Sequence, residues 1–88
     1  MKIDFRKITV QDVDGNKSTV DVSKELGNII YKNTPDLGEL EFAQDIYKNG
    51  EVDIDEARAE IIRSYMDVGR FFAFVKAGIN EELNSINL

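Results

Sequence analysis

A stripe of apolar residues near the C-terminus limits how this chain of 88 residues folds. If residues 53–88 are helical, six apolar side chains recur at alternating spacings of four and three residues, which is typical of a helix that packs against another surface. They are Ile61, Tyr65, Val68, Phe72, Val75 and Ile79. Phe71 and Phe74 lie outside this seam, because successive residues on a helix are about 100° apart. We therefore expect this segment to be covered on two sides, or to expose aromatic surface to a partner.

Gly69 decides whether this segment is one helix or two. Glycine costs about 1 kcal/mol inside a helix but suits the position just after a helix end. An unbroken helix over residues 54–84 would be about 45 Å long, whereas a globule of this size has a radius of gyration of about 12 Å. Both alternatives stay open: one long helix whose excess seam needs a second copy, or two helices, 54–67 and 70–84, that meet in a kink.

The first quarter of the chain predicts a β-hairpin over residues 2–22. Apolar residues alternate with polar ones in two blocks, and the change of phase near Arg6–Lys7 predicts a bulge in one long strand. Asp14–Gly15 predicts a tight turn, so residues 2–12 are expected to pair with residues 17–22. Because a lone hairpin is marginally stable in water, its apolar face must pack on a helix.

Two helices are predicted in the middle of the chain, over residues 24–32 and 37–48. Ser23 is a good N-cap for the first helix, and Asp36 with Glu39 has the spacing of a capping box for the second. The predicted inner face of the second helix consists of Leu37, Leu40, Ala43 and Tyr47, flanked by Phe42 and Ile46.

These elements predict a single α+β domain over residues 1–88, with the N-terminal β-hairpin packed on three to four α-helices and a long or kinked C-terminal helix. The chain is 42% hydrophobic and 32% charged, which is typical of a globular protein rather than a disordered one. No apolar run approaches the roughly 18–20 residues that span a bilayer, and the N-terminus lacks the apolar core of a secretory signal. We therefore expect a cytoplasmic protein that does not bind membranes.

The chain contains neither cysteine nor histidine. This composition removes disulfides, thiolate nucleophiles, ordinary zinc and haem sites, and the side chain that works best as a general base near neutral pH. No serine has a histidine to activate it, and no glycine-rich phosphate loop is present. We expect a protein that is not an enzyme and that needs no cofactor.

The segment DIYKNGEVDIDE, residues 45–56, partly matches the twelve-residue calcium loop of EF-hand proteins. The matching oxygen ligands are Asp45, Asn49, Asp53 and Glu56. Tyr47 stands where the third position requires an oxygen ligand, and the chain has no second loop to pair with. The alternative is a helix that ends at Asn49–Gly50, a short extended bridge at Val52, and the cap of the next helix.

The net charge of −6 comes from an acidic block at residues 36–60, which has nine acidic residues against Lys48 and Arg58. Four of its acids form a predicted acidic patch: Glu39, Glu41, Asp45 and Glu60. Such a field repels nucleic-acid phosphates, so we expect no direct nucleic-acid binding, and it suits a basic partner.

The segments DVSKELGN, DLGELE and NGEV lie within residues 21–66. In these segments the chain resembles short uncharacterised proteins encoded by phages and mobile elements of gut bacteria. The resemblance covers about half of the chain and includes no catalytic motif. It implies a small accessory or host-interaction protein.

Two functional hypotheses follow, and the first is a non-enzymatic protein–protein interaction module that self-associates through the C-terminal helix. The predicted interface consists of Tyr65, Val68, Phe71, Phe72, Phe74, Val75 and Ile79. Burial in the core is the alternative for the aromatic cluster at 71–74. The second hypothesis is an acidic inhibitor of the phage type, which mimics nucleic acid or binds a basic host factor. A calcium site at residues 45–56 is a third and weaker alternative.

Overall fold

Four short strands and four helices follow one another in the computed structural model, which describes residues 1–85. The strands are β1 (Lys2–Asp4), β2 (Ile8–Gln11), β3 (Lys17–Val20) and β4 (Glu51–Asp53). The helices are α1 (Ser23–Asn33), α2 (Leu37–Asn49), α3 (Glu56–Val68) and α4 (Ala73–Asn84). The predicted α+β class is confirmed. The last three residues of the apolar C-terminal segment lie outside the described residues.

The predicted hairpin forms from β2 and β3, which pair antiparallel from Ile8 opposite Val20 to Gln11 opposite Lys17. Gly15 closes the turn with a φ of 87°, a left-handed conformation that glycine adopts without strain. The Asp12 carboxylate accepts from the backbone N–H of residues 14 and 16, which holds the turn in shape. Asx turns of this kind explain why Asp and Gly mark the turn in the sequence.

The prediction of one bulged strand over residues 2–12 is wrong. The chain turns at Arg6–Lys7, where the N–H of Lys7 donates to the carbonyl of Asp4 at 3.1 Å. The segment before this turn is β1, which pairs antiparallel with β4 rather than with β3, and Ile3 lies opposite Val52. The change of phase in the apolar pattern therefore marks a passage between two separate sheets.

Side-chain caps start α2 and α3 as the residue types predict. The Asp36 carboxylate accepts from the N–H of Glu39 at 2.9 Å, and the Asp55 carboxylate accepts from the N–H of Arg58 at 2.8 Å. The expected Ser23 cap of α1 is wrong, because Ser23 is the first helical residue. Its N–H and hydroxyl both donate to the carboxylate of Asp21, which lies outside the helix.

Gly69 separates two helices, so the alternative with a kink is the one that forms. The backbone of Gly69 has a φ of −78°, which any residue adopts. A side chain at this position would overlap the methyl group of Ile29 on α1. The glycine therefore allows close packing against α1, and the resulting globule has a radius of gyration of 12.3 Å.

The buried face of α2 is offset from the predicted one. Phe42, Ala43 and Ile46 are buried, whereas Leu37 is 79% exposed and Tyr47 is also exposed. The offset arises because α2 packs on both β4 and α1. It approaches α1 so closely that a methyl group on Gly27 would lie 3.0 Å from the carbonyl oxygen of Ala43.

One core joins all of the helices and both sheets. Its fully buried large side chains are Ile3, Phe5, Ile8, Leu26, Ile30, Ile46, Ile54, Ile62, Ile79 and Leu83. α4 approaches β2 closely, since a methyl group on Gly78 would overlap the carbonyl oxygen of Thr9. This contact places the start of α4 beside the β2–β3 hairpin.

Substitution of Gly78 by alanine tests that contact. The added methyl group meets backbone, which cannot rotate away, so we expect Gly78→Ala to lower the free energy of unfolding by about 1–3 kcal/mol. Gly38→Ala is the control, because its methyl group meets only the end of the Asp36 side chain at 3.1 Å, and we expect a change below about 1 kcal/mol. Urea unfolding followed by circular dichroism measures both; equal effects of the two substitutions would contradict the packing described.

Candidate functional site

The structure divides the predicted interface into a buried part and an exposed part. Ile79 is completely buried and Val75 is 9% exposed, so both belong to the core and their assignment to an interface is wrong. The reason is that α4 packs on β2 at Gly78, one residue before Ile79. Residues of the same seam before the break at Gly69 belong to a different helix, so the seam is not one continuous surface.

Tyr65 and Phe71 are half-buried and pack against the core. The Tyr65 hydroxyl donates to the Glu39 carboxylate at 2.8 Å, and the Thr34 hydroxyl donates to the same oxygen at 2.8 Å. The Thr34 hydroxyl lowers the pKa of Tyr65, but burial and the hydrogen bond and charge of Glu39 together raise this pKa above its ordinary value of 10.0. Tyr65 therefore stays neutral and ties α3 to the start of α2.

Val68, Phe72 and Phe74 are the members of the predicted interface that are exposed. Phe72 is 74% exposed and Phe74 is 47% exposed, and their rings are stacked with centroids 6.3 Å apart and planes at 19°. We call these two side chains the aromatic ridge. Large aromatic side chains usually bury most of their surface, so this exposed pair is a candidate contact surface.

A groove lies on each side of the aromatic ridge. The first groove, of about 350 Å³, is lined by Phe72 and by Val20, Asp21, Val22, Glu25, Arg70, Phe71 and Val75. The second, of about 360 Å³, is lined by Phe74 and by residues of the β2–β3 hairpin and of α4. That the hairpin borders the aromatic cluster could not be predicted, because these residues are more than 50 positions apart. The ridge and the grooves together form the candidate site.

The four acids of the predicted acidic patch differ in their exposure and in the groups that they bond to. Glu39 is held by Tyr65 and Thr34, and Glu60 pairs with Arg63 at 2.7 Å. Glu41 and Asp45 are exposed one helical turn apart on α2. The patch is therefore smaller than predicted, and Glu39 stabilises the fold rather than presenting charge.

The four residues proposed to bind calcium are not brought together as a set. Asp45, Asn49 and Asp53 line one open groove of about 240 Å³, and the cations of Lys2 and Arg58 line it as well. Arg58 donates to the carbonyl of Asp53 at 2.8 Å. Glu56 does not line this groove, and within residues 1–85 no three acidic side chains converge as metal ligands would. The extended bridge at Val52 is strand β4, as the alternative interpretation implied.

A fourth groove, which was not predicted from the sequence, lies between α1 and α2. It has a volume of about 180 Å³ and is lined in part by Tyr31, Tyr47 and Gln44. Lys24 lies over the ring of Tyr47, 5.6 Å from its centroid. Tyr47 is exposed because the buried face of α2 is offset from the predicted one. A correct prediction of that face would have indicated this groove.

Paired alanine substitutions test the different roles of the two neighbouring acids. Glu39→Ala removes the acceptor of two hydrogen bonds, and we expect it to lower the free energy of unfolding by about 1–2 kcal/mol. Glu41→Ala removes an exposed carboxylate with no such partner, and we expect a change within about 0.5 kcal/mol. Both removals change the net charge equally, so chemical denaturation of the two variants at one pH separates structure from charge. A loss of stability in Glu41→Ala as large as in Glu39→Ala would contradict this distinction.

Comparison with known proteins leaves the candidate site to be interpreted from its geometry. No family model matches the chain, and no curated protein or solved structure is detectably similar to it. Among residues 1–85, none of the helices is both long enough and apolar enough to cross a bilayer. The functional argument therefore depends on the aromatic ridge, the two grooves beside it and the exposed acids.

Proposed function

We propose that this protein is a non-enzymatic protein–protein interaction module that self-associates through the aromatic ridge. The observation that carries the proposal is the stacking of Phe72 on Phe74 while 74% of the first ring and 47% of the second remain exposed. Burial of one phenylalanine side chain is worth about 1.5–3 kcal/mol, so covering both rings supplies a substantial driving force for association.

The ridge is suited to binding because its backbone is packed against the rest of the fold. Phe72 immediately precedes α4 and Phe74 lies in its first turn, and α4 is anchored on β2 by Gly78. Side chains that are already fixed lose little conformational freedom on binding. A phenylalanine buries about 150–250 Å², whereas a stable interface buries about 1,600 Å² in total, so the hairpin beside the ridge must contribute to any contact.

Composition supports the non-enzymatic part of the proposal and the expected cellular location. The chain has no histidine or cysteine, so the side chains that most often act as general base or thiolate nucleophile are absent. We propose a cytoplasmic accessory role, in line with the resemblance of residues 21–66 to small phage and mobile-element proteins. In such a role, the self-associated form would bind a host protein.

A second candidate function is binding of a basic partner by the acidic block. The observation that favours it is the exposure of Glu41 and Asp45 on α2, next to a groove that also contains Glu51 and Asp53. Opposite charges on a partner would be attracted over distances of about 8–10 Å at physiological salt. Lys2 and Arg58 in the same groove reduce this field, so the aromatic ridge is the preferred site.

Sedimentation equilibrium of Phe72→Ser/Phe74→Ser tests the primary proposal. We expect the native chain to dimerise in the micromolar range and the double variant to remain monomeric at every concentration, because the apolar contact is lost. The control is Leu37→Ser, which removes an apolar side chain that is 79% exposed on α2, away from the ridge. It should dimerise like the native chain. A native chain that stays monomeric at high micromolar concentration would refute self-association.

The acidic candidate is tested by titration with an unstructured lysine-rich peptide. Binding should weaken steeply as salt rises, and Glu41→Gln/Asp45→Asn should weaken it about tenfold at low salt. The control Glu81→Gln/Glu82→Gln removes the same charge from α4, outside the acidic block, and should have a smaller effect. Equal effects of the two double variants would mean that the peptide responds only to net charge.

A further inference from the structure

Strand β3 has an edge that no other strand covers. Among the described residues its only strand partner is β2. The N–H of Asp12 donates to the carbonyl of Asn16, and hydrogen-bonded residues alternate along an antiparallel pair. The even-numbered residues of β3 are therefore the ones that bond to β2. Lys17 and Thr19 consequently direct their backbone N–H and C=O groups away from β2. An open edge of this kind is a ready template for another strand.

The sequence of this edge is self-complementary in charge. Lys17 and Asp21 lie two residues on either side of Thr19. In an antiparallel pair centred on Thr19, Lys17 of one copy lies opposite Asp21 of the other, and the reverse pair forms across the same axis. Lys17 shares the face of Thr19, because residue directions alternate along a strand. Asp21 directly follows the strand, and its carboxylate also accepts from Ser23. Within residues 1–85, Lys17 forms no ion pair that would compete.

The aromatic ridge borders the β2–β3 hairpin on the side where α4 packs. Phe72 lines a groove with Val20, and Phe74 lines a groove with Lys17. The axis that relates two antiparallel strands of one sheet is perpendicular to that sheet, so both copies carry α4 on the same face. Pairing of the two edges would therefore place both ridges on one face of the joined sheet.

We infer that a second copy of this chain adds its β3 to β3 in a two-fold antiparallel pair centred on Thr19, forming a four-stranded sheet in the order β2–β3–β3–β2. The inference rests on the proposed self-association. It specifies how the two copies pair and which residues beyond the ridge take part. Backbone hydrogen bonds at Lys17 and Thr19 supply affinity, and the two Lys17–Asp21 pairs fix the register. The pairing also removes the open edge of β3, which would otherwise remain a site for aggregation.

A single engineered cysteine tests the pairing, because the native chain has none. In the proposed dimer the two Thr19 Cα atoms are about 5.5 Å apart, within the range of about 4.4–6.8 Å that a disulfide spans. We expect Thr19→Cys to form a covalent dimer rapidly under mild oxidation. Thr9→Cys is the matched control: Thr9 is also exposed and lies directly opposite Thr19 on β2, but a strand separates it from the axis. It should cross-link far more slowly.

A charge reversal tests the register independently. Lys17→Asp places two like-charged pairs across the axis, and we expect it to weaken dimerisation at least about fivefold. Lys17→Asp/Asp21→Lys restores opposite charges and should recover most of that loss. Circular dichroism of each variant confirms folding, which matters because the Asp21 carboxylate also accepts from Ser23 at the start of α1.

The outcomes separate this inference from the function on which it depends. If the native chain is monomeric, self-association and edge pairing both fail. If the native chain dimerises and Phe72→Ser/Phe74→Ser abolishes the dimer, while Thr19→Cys does not cross-link faster than Thr9→Cys, edge pairing alone is overturned. Rapid cross-linking of Thr19→Cys together with weaker dimerisation of Lys17→Asp supports the inferred sheet.

Discussion

The backbone of Phe5 joins the two sheets, and the arrangement of the helices depends on this junction. Its N–H donates to the carbonyl of Gly50 at 2.9 Å, and its carbonyl accepts from the N–H of Val22 at 2.8 Å. Its ring is completely buried. Because Gly50 ends α2 and Val22 precedes α1, this one residue fixes the end of α2 against the start of α1. A buried backbone group that loses its partner costs about 1–3 kcal/mol, so neither bond can be given up cheaply.

The junction at Phe5 leads by a short series of contacts to the exposed aromatic ridge. With α1 and α2 fixed, Gly69 packs on Ile29 and ends α3 against α1. The chain must then reach β2, on which α4 packs at Gly78. The link between the two helices is extended at Phe72, and side chains alternate in direction along extended backbone. Phe71 takes the inward direction and is half-buried, so Phe72 is left facing outward.

The sequence predicted those parts of the fold that depend on neighbouring residues. The turn at Gly15 and the cap at Asp36 are each determined within a few positions, and both were predicted from residue type. The end of a helix near Gly69 was one of two alternatives that the sequence left open. The pairing of β1 with β4 joins residues about fifty positions apart in strands of three residues each. Strands that short carry almost no periodic signal, so their partner depends on how the helices between them pack.

The candidate site was only partly predictable, for a related reason. Spacing identifies which side chains share a face of a helix, but not which side the neighbouring elements cover, so Ile79 was assigned to an interface although it lies in the core. The same spacing placed Phe74 outside the seam, and this side chain is exposed, but it placed Phe72 in the seam with Ile79, although Phe72 precedes α4 and is 74% exposed. The backbone before and after the ridge packs against α1 at Gly69 and against β2 at Gly78, which would limit the conformational freedom lost in the proposed association.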